Sequence, residues 1–466
     1  MITLTGTNRS IHFVDYICVG SVAGLLSIWV LPNTIALRHV FLVTGFLSAC
    51  WIIYRSSFFR GRSVQELLPL YALSTLFIWV IIHYLFFSLN PVLEAQEITS
   101  LWLRSLLCVV IAIGLRISLD EHEKLQPYFF IALWFVPLVN LGAYLFISWR
   151  AGYFLLPSEF INAFTFKKIE AAFYGVLAVS IACANLIYYY RKSTIKKKTV
   201  TMIFWFSGIL LAFASAIVAN TKNGVAAIFG LCALLAISLL AKLFFDKKLS
   251  LKLWKKILAV SLTLVCLGAV WQVHMRFASP GWITLLEDIR IAHQIDKHDF
   301  WRYSGNDWSK KFPKQTLPKN SLDTPVAGNT YERVAWATVG VHLINLYPYG
   351  YGSVNQSFKK MLDFADIRHE LQSQTHSGWI DFGLAYGVPG LIIFTFIFFI
   401  IFISAIWRIN QFSLMGLWLI LGIAPFGLIA EITYKHNFET LIFFLSLACS
   451  FTITHKSSFE DLHPKK

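Results

Sequence analysis

The chain is 466 residues long, 57% hydrophobic and only 14% charged, with a mean hydropathy of +0.62. Soluble domains carry roughly one-quarter charged residues, so a soluble globular protein is excluded. The net charge of +15 does not point to nucleic acid, because the basic residues sit in short loops between apolar runs, where they set orientation in a bilayer.

From the N-terminus, Met1 to His12 is polar and leads into an apolar segment without a small-residue cleavage pattern, which reads as a retained helix rather than a signal peptide. Runs able to cross a hydrocarbon core of about 30 Å at about 1.5 Å per residue fall at 13–31, 36–54, 67–88, 100–118, 128–148, 170–189, 201–219, 224–245, 257–275, 382–407, 414–433 and 438–455. Each is predicted to be helical, since an open strand edge in lipid would leave backbone groups unpaired. The expected fold is all-α: a polytopic membrane protein of about twelve transmembrane helices. The seven cysteines (Cys18, Cys50, Cys108, Cys183, Cys232, Cys266 and Cys449) all lie inside these runs, which implies neither a disulfide framework nor a thiolate metal site.

Orientation follows from Arg55, Arg60 and Arg62, from Arg191, Lys192 and Lys196 to Lys198, and from Lys247, Lys248, Lys252, Lys255 and Lys256. These three loops share one side, which the positive-inside rule makes cytoplasmic together with both termini. The loop Asn90 to Ser100 on the other side carries Glu94 and Glu97 and no Lys or Arg. Two loops fit less well: Leu119 to Pro127 is acidic on the inside, and Arg150, Lys167 and Lys168 fall outside. The chain then divides into an N-terminal bundle (1–275, about nine spans), a large outward loop (276–380) between spans nine and ten, and C-terminal helices with a short tail (381–466). In a Gram-negative cell that loop is periplasmic and the membrane is the inner one.

Within the loop, a helix is expected near Trp282 to His293 and another from Tyr331 to Leu346, started by a capping box of Asn329 and Glu332 and stopped by Pro348, Gly350 and Gly352. No P-loop, dinucleotide-type glycine fingerprint, HExxH, CxxC or Asp-x-Asp pair is present, so neither ATP hydrolysis nor a metal-held nucleotide sugar is supported. Three outward positions remain. Lys222, in the turn Ala219 to Gly224, puts a cation at headgroup level, although an interfacial lysine reaching for water is the plainer account. Arg333 stands on the first turn of the capped helix, where a surface ion pair is the plainer account. His376, in Thr375-His376-Ser377-Gly378-Trp379, precedes a span. An ordinary imidazole titrates near about 6.5 and accepts a proton at neutral pH, as activation of a hydroxyl requires, though a lone histidine there is more often an interfacial polar residue. Together they make two cations that bind a diphosphate and stabilise its departing charge, and one base.

His376-Ser377, nine residues, Gly387, two residues, Gly390 resembles the His-[Asn/Ser/Gln]-x9-Gly-x-x-Gly pattern of the bacterial O-antigen ligases, within the O-antigen ligase and polymerase superfamily. Arg333 and Trp336, then Tyr347-Pro348-Tyr349-Gly350-Tyr351-Gly352, are similar to that family's Arg-x-x-x-Trp and Pro-x-Gly-x-Gly elements, with the Arg-to-Trp spacing one residue shorter. The likeness runs from about Thr221 to the last span. Thr221-Lys222-Asn223-Gly224 stands where many members carry Ser/Thr-Arg-Gly; lysine keeps the charge and loses the planar fork.

The resemblance implies a metal-independent, inverting glycosyltransferase without cofactors, in lipopolysaccharide biosynthesis. It would carry a glycan from an undecaprenyl diphosphate donor to a hydroxyl of lipid A-core. His376 would be the general base, and Arg333, Lys222 and Arg276 the diphosphate ligands. A repeat-unit polymerase using the same donor is the alternative enzyme. A polysaccharide transporter or flippase is the alternative of another class; such proteins place ionisable groups near the bilayer midplane, where His83 and Arg104 are isolated candidates.

Overall fold

The computed structural model describes residues 12–245, 284–303, 318–370 and 374–453, without 57, 164–167 and 192–197, and singly 261, 268 and 272. Among the described residues the β-pairing amounts to two isolated bridges, Tyr303 with Glu370 and Lys319 with Pro325. The membrane helices run α1 (Phe13–Ile28), α2 (Ile35–Arg55), α3 (Val64–Phe86), α4 (Pro91–Glu97), α5 (Leu103–Glu121), α6 (Gln126–Ala132), α7 (Phe135–Ala151), α8 (Pro157–Ala163), α9 (Lys168–Arg191), α10 (Lys198–Val218) and α11 (Lys222–Phe245). The polar segment forms α12 (Leu285–Ala292), α13 (Gly328–Leu346) and α14 (Ser357–Phe364), and the chain returns through α15 (Gly378–Trp407), α16 (Gln411–Ile429) and α17 (His436–Phe451).

Among the described residues nine helical stretches are long and apolar enough to cross a membrane, and the protein is a multi-pass helical membrane protein. α4, a π-turn at Ile98–Trp102 and α5 make one such stretch, and α6 with α7 another. α1 and α17, at the runs 13–31 and 438–455, have 16 residues each; at 1.5 Å per residue that is about 24 Å, short of a full hydrocarbon core. The expected span 257–275 and Arg276 lie outside the described residues.

Burial explains why α17 tolerates its length. Every residue from Asn437 to Phe451 is buried, so its ends meet protein rather than lipid. α9 is its companion, with 94% of its most apolar window buried against 28% for α2 and 33% for α15. The outer helices carry Trp51, Leu85, Phe86, Ile203 and Trp407 exposed, as a lipid-facing surface requires.

Buried charges are paired at both ends of the bundle. At one end Asp15 accepts from Arg55 Nη2 at 2.5 and 2.6 Å and from the Ser118 hydroxyl at 3.0 Å. His83 and Arg104, isolated in the sequence, have carboxylate partners: His83 Nδ1 meets Glu94 at 2.8 Å and Arg104 Nε meets Glu439 at 2.6 Å. They were invisible as pairs because 335 residues separate the second couple.

The polar segment has its own core, with Trp301, Tyr331, Trp336, Phe358, Met361 and Leu362 buried together. Its first helix is shorter than expected, Leu285–Ala292. The second begins at Gly328 with Ala327 as N-cap and no side-chain cap, so Asn329 is inside the helix and the expected capping box is not what starts it. Instead buried Asp288, on α12, accepts from the Ala327 amide at 3.1 Å and from Asn320 Nδ2 at 3.3 Å. A carboxylate from another helix does what a local cap would have done.

Candidate functional site

The two glycine motifs are halves of one joint. α15 breaks at Gly387 (φ 68°, ψ −171°), a conformation open essentially to glycine alone. At that break Tyr351 N donates to Leu384 O at 2.8 Å, Gly352 N to Ala385 O at 2.7 Å and Val388 N to Pro348 O at 2.8 Å. A Cβ on Gly387 would run into the carbonyl of Pro348. α3 and α4 brace the same turn: His83 Nε2 contacts Tyr349 O at 3.0 Å, and buried Glu97 accepts from Ser353 Oγ, Val354 N and Asn355 N, each at 2.8 Å. Glu94 and Glu97, which the sequence presents as acids of an outward loop, are structural.

His376 lies at the entry to α15 in the left-handed region (φ 66°). Its neighbours hold it there. Thr375 donates its amide and hydroxyl to buried Asp381 at 2.9 and 2.8 Å, and Ser377 N donates to Thr375 Oγ1 at 3.3 Å. The imidazole stacks on Trp336 with centroids 5.2 Å apart and planes 18° from parallel. Trp336 is fixed in turn by its indole N–H, which donates to Trp301 O at 2.7 Å. Nδ1 of His376 is in close contact with the Glu431 carboxylate, leaving Nε2 as the nitrogen turned to other partners. Gly378 N donates to Ala430 O at 3.0 Å, which ties the histidine segment to the α16–α17 loop that carries Glu431.

Arg333 is one helical turn before Trp336 on α13. Its Nη1 donates to Ile429 O at 3.3 Å, the carbonyl that also accepts from Asn223 Nδ2 at 2.5 Å. The site thereby gathers α13, the start of α11 and the end of α16 around one atom. Lys222 is the first residue of α11, not a residue of the preceding turn; Thr221 caps this helix by accepting from Gly224 N at 3.0 Å. Lys168, which opens α9, lies within electrostatic reach of both Arg333 and Lys222. Loss of hydration pushes the Arg333 guanidinium below its ordinary value while Glu431 and Glu332 pull it back, and it stays charged. Burial pushes the Glu332 carboxyl up, against His376 and Arg333, and its Oε1 has no hydrogen-bond partner.

Three of the expected residues therefore meet: His376 and Arg333 share Glu431 and the Trp336 helix, and Lys222 joins through Asn223 and Lys168. Arg276, the fourth, is outside the described residues. Two residues were missed. Glu431 falls inside the expected span 414–433 with no motif around it, and Lys168 stood out only as a lysine on the wrong side for the positive-inside rule. Arg333 and Lys222 both lie within electrostatic reach of Lys168, a gathering of three cations suited to an anion, next to an imidazole.

Fold and site define a helical, multi-pass membrane protein with a polar, charge-bearing segment folded against one end of its bundle. A family model described as O-antigen ligase matches residues 207–395, which include Lys222, Arg333, Trp336, His376 and both glycine motifs. Over that stretch the chain is similar to the O-antigen ligase family, a likeness that supports glycosyl transfer in broad terms. No curated protein matches the chain.

Proposed function

We propose that this protein is an O-antigen ligase that transfers a glycan from undecaprenyl diphosphate to a hydroxyl of lipid A-core on the periplasmic face of the inner membrane. The observation that carries the reading is the His376–Glu431 pair, stacked on Trp336 one turn from Arg333. With the Glu431 carboxylate against Nδ1, Nε2 accepts the proton of the acceptor hydroxyl as that hydroxyl's oxygen attacks the anomeric carbon. The bond from that carbon to the diphosphate breaks, and the leaving group departs with its charge against Arg333 and Lys222, Lys168 adding to the field. Glu431 stabilises the imidazolium that results. In this reading the described part of 276–380 carries His376 and Arg333, and the flanking helices would hold the lipid-borne partners.

The test is the lipopolysaccharide banding pattern and the undecaprenyl-linked glycan pool of a strain lacking the gene, complemented with wild type or His376→Ala. Polymer accumulating on the carrier with none on the core supports the ligase; single-unit products on the core point to a polymerase. An unchanged pattern, with the variant complementing fully, sinks glycosyl transfer. Arg333→Ala with undiminished undecaprenyl diphosphate binding removes the diphosphate role.

A further inference from the structure

A cavity of about 340 Å³, whose lining does not include His376, is lined among others by Arg38 and His39 of α2, Arg104 of α5, and Lys435, His436 and Glu439. Its carboxylates already have partners. Glu439 takes Arg104 at 2.6 Å and the Trp29 indole N–H at 3.3 Å, and Glu97 holds the 353–355 turn. His436 Nε2 is engaged by Glu170 at 2.7 Å. Among the described residues Arg38 and Lys435 have no carboxylate partner, and the Nε of Arg38 is buried without a hydrogen-bond acceptor.

Their placement runs against the helices' own electrostatics. Arg38 stands at the end of the opening turn of α2 with His39 beside it, and Lys435 (φ 49°) and His436 open α17. The positive pole of a helix favours anions there, so basic side chains at two such ends cost stability that an anionic ligand would restore. Resting on the proposed transfer between two lipid-borne partners, we infer that this cavity receives a phosphate-bearing lipid headgroup, that of the acceptor. The donor diphosphate and the acceptor phosphate would then flank one loop, which carries Glu431 to His376 and Lys435 to the cavity. α9 bridges the two in the same way, with Lys168 toward Arg333 and Lys222 and Glu170 on His436.

The experiment uses full-length protein in phosphatidylcholine nanodiscs, titrated with lipid A, dephosphorylated lipid A, inorganic phosphate and undecaprenyl diphosphate. The double variant Arg38→Gln/Lys435→Gln should bind lipid A about tenfold or more weakly, bind dephosphorylated lipid A like wild type, and keep its affinity for undecaprenyl diphosphate. Arg38→Lys/Lys435→Arg should restore lipid A binding, which separates lost charge from damaged folding. Unchanged lipid A affinity in the double variant overturns the inference. Inorganic phosphate displacing lipid A at matched concentration overturns the lipid and leaves a free-anion site. Arg333→Gln reads the donor side separately: if it spares undecaprenyl diphosphate binding, the donor assignment fails while the acceptor cavity still stands or falls on the double variant.

Discussion

Two regions at one end of this molecule are built from similar residues and treat charge in opposite ways. In the brace under the glycine joint, opposite partners alternate: His83 meets Glu94 Oε1, Glu97 accepts from Ser353 Oγ, and Lys360 Nζ reaches Ser353 Oγ at 2.8 Å, Glu94 Oε2 alone of these carboxylate oxygens having no partner. A few turns of helix away, Arg333, Lys222 and Lys168 crowd together, Glu332 keeps an oxygen unpartnered, and His376 sits in a left-handed conformation. Opposite charges tied together hold shape; a gathering of like charges is where a ligand is expected.

The sharpest way to break that comparison is to cut each region once and read activity and stability separately. His376→Ala should lower transfer about 10²–10⁴-fold, the usual worth of a positioned base, while the melting temperature of the purified protein in detergent changes little. A large loss of stability instead would make the histidine part of the scaffold. Gly387→Ala should behave in reverse. Its backbone conformation alone costs about 1–3 kcal/mol in a non-glycine residue, and the Cβ meets the Pro348 carbonyl. Thermal melting should therefore fall by several degrees, with surviving activity reduced only as far as the folded fraction. If melting is unchanged, the joint yields more easily than its three backbone hydrogen bonds suggest.

Glu431→Gln tests the seam between the regions. The amide retains shape and loses charge, so kcat should fall about tenfold, or about 1.4 kcal/mol, with little change in KM for the donor. A rise in KM at constant kcat would mean that Glu431 acts on Arg333 and donor binding rather than on His376.

How much of this could be read from the chain depended on how far apart the cooperating residues are. The membrane helices were legible because apolar length is local, and His376, Arg333 and the glycines because each sits in a short motif. The reason for Gly387 was not, since it lies in a turn nearly forty residues earlier, at 348–352. Asp288 starts α13 from another helix, 39 residues before the amide it caps, whereas Asn329, the cap expected from the sequence, lies inside the helix rather than at its start. Lys168 read as a flaw in the topology until the fold set it beside Arg333 and Lys222. Glu431 had no signal beyond being an acid within the expected span 414–433, a helix that in fact ends at Ile429.

The smallest expected effect tests the same contrast through a single unsatisfied group. Glu332 is buried and its carboxyl is pushed up by that burial, despite His376 and Arg333. Below the ordinary carboxylate range the group is protonated in both folded and unfolded chains and contributes nothing. Above it the unfolded chain releases the proton first, so the folded state binds more protons and stability falls as pH rises toward the folded value. Glu332→Gln removes that penalty and should raise stability by about 1 kcal/mol at most, visible in melting near neutral pH and absent at acid pH. If transfer also drops, the ionised carboxylate is needed by the site, and Glu332 belongs with His376 and Glu431. If activity holds while stability rises, its charge is a cost of placing Arg333 and Trp336 on the same buried helix.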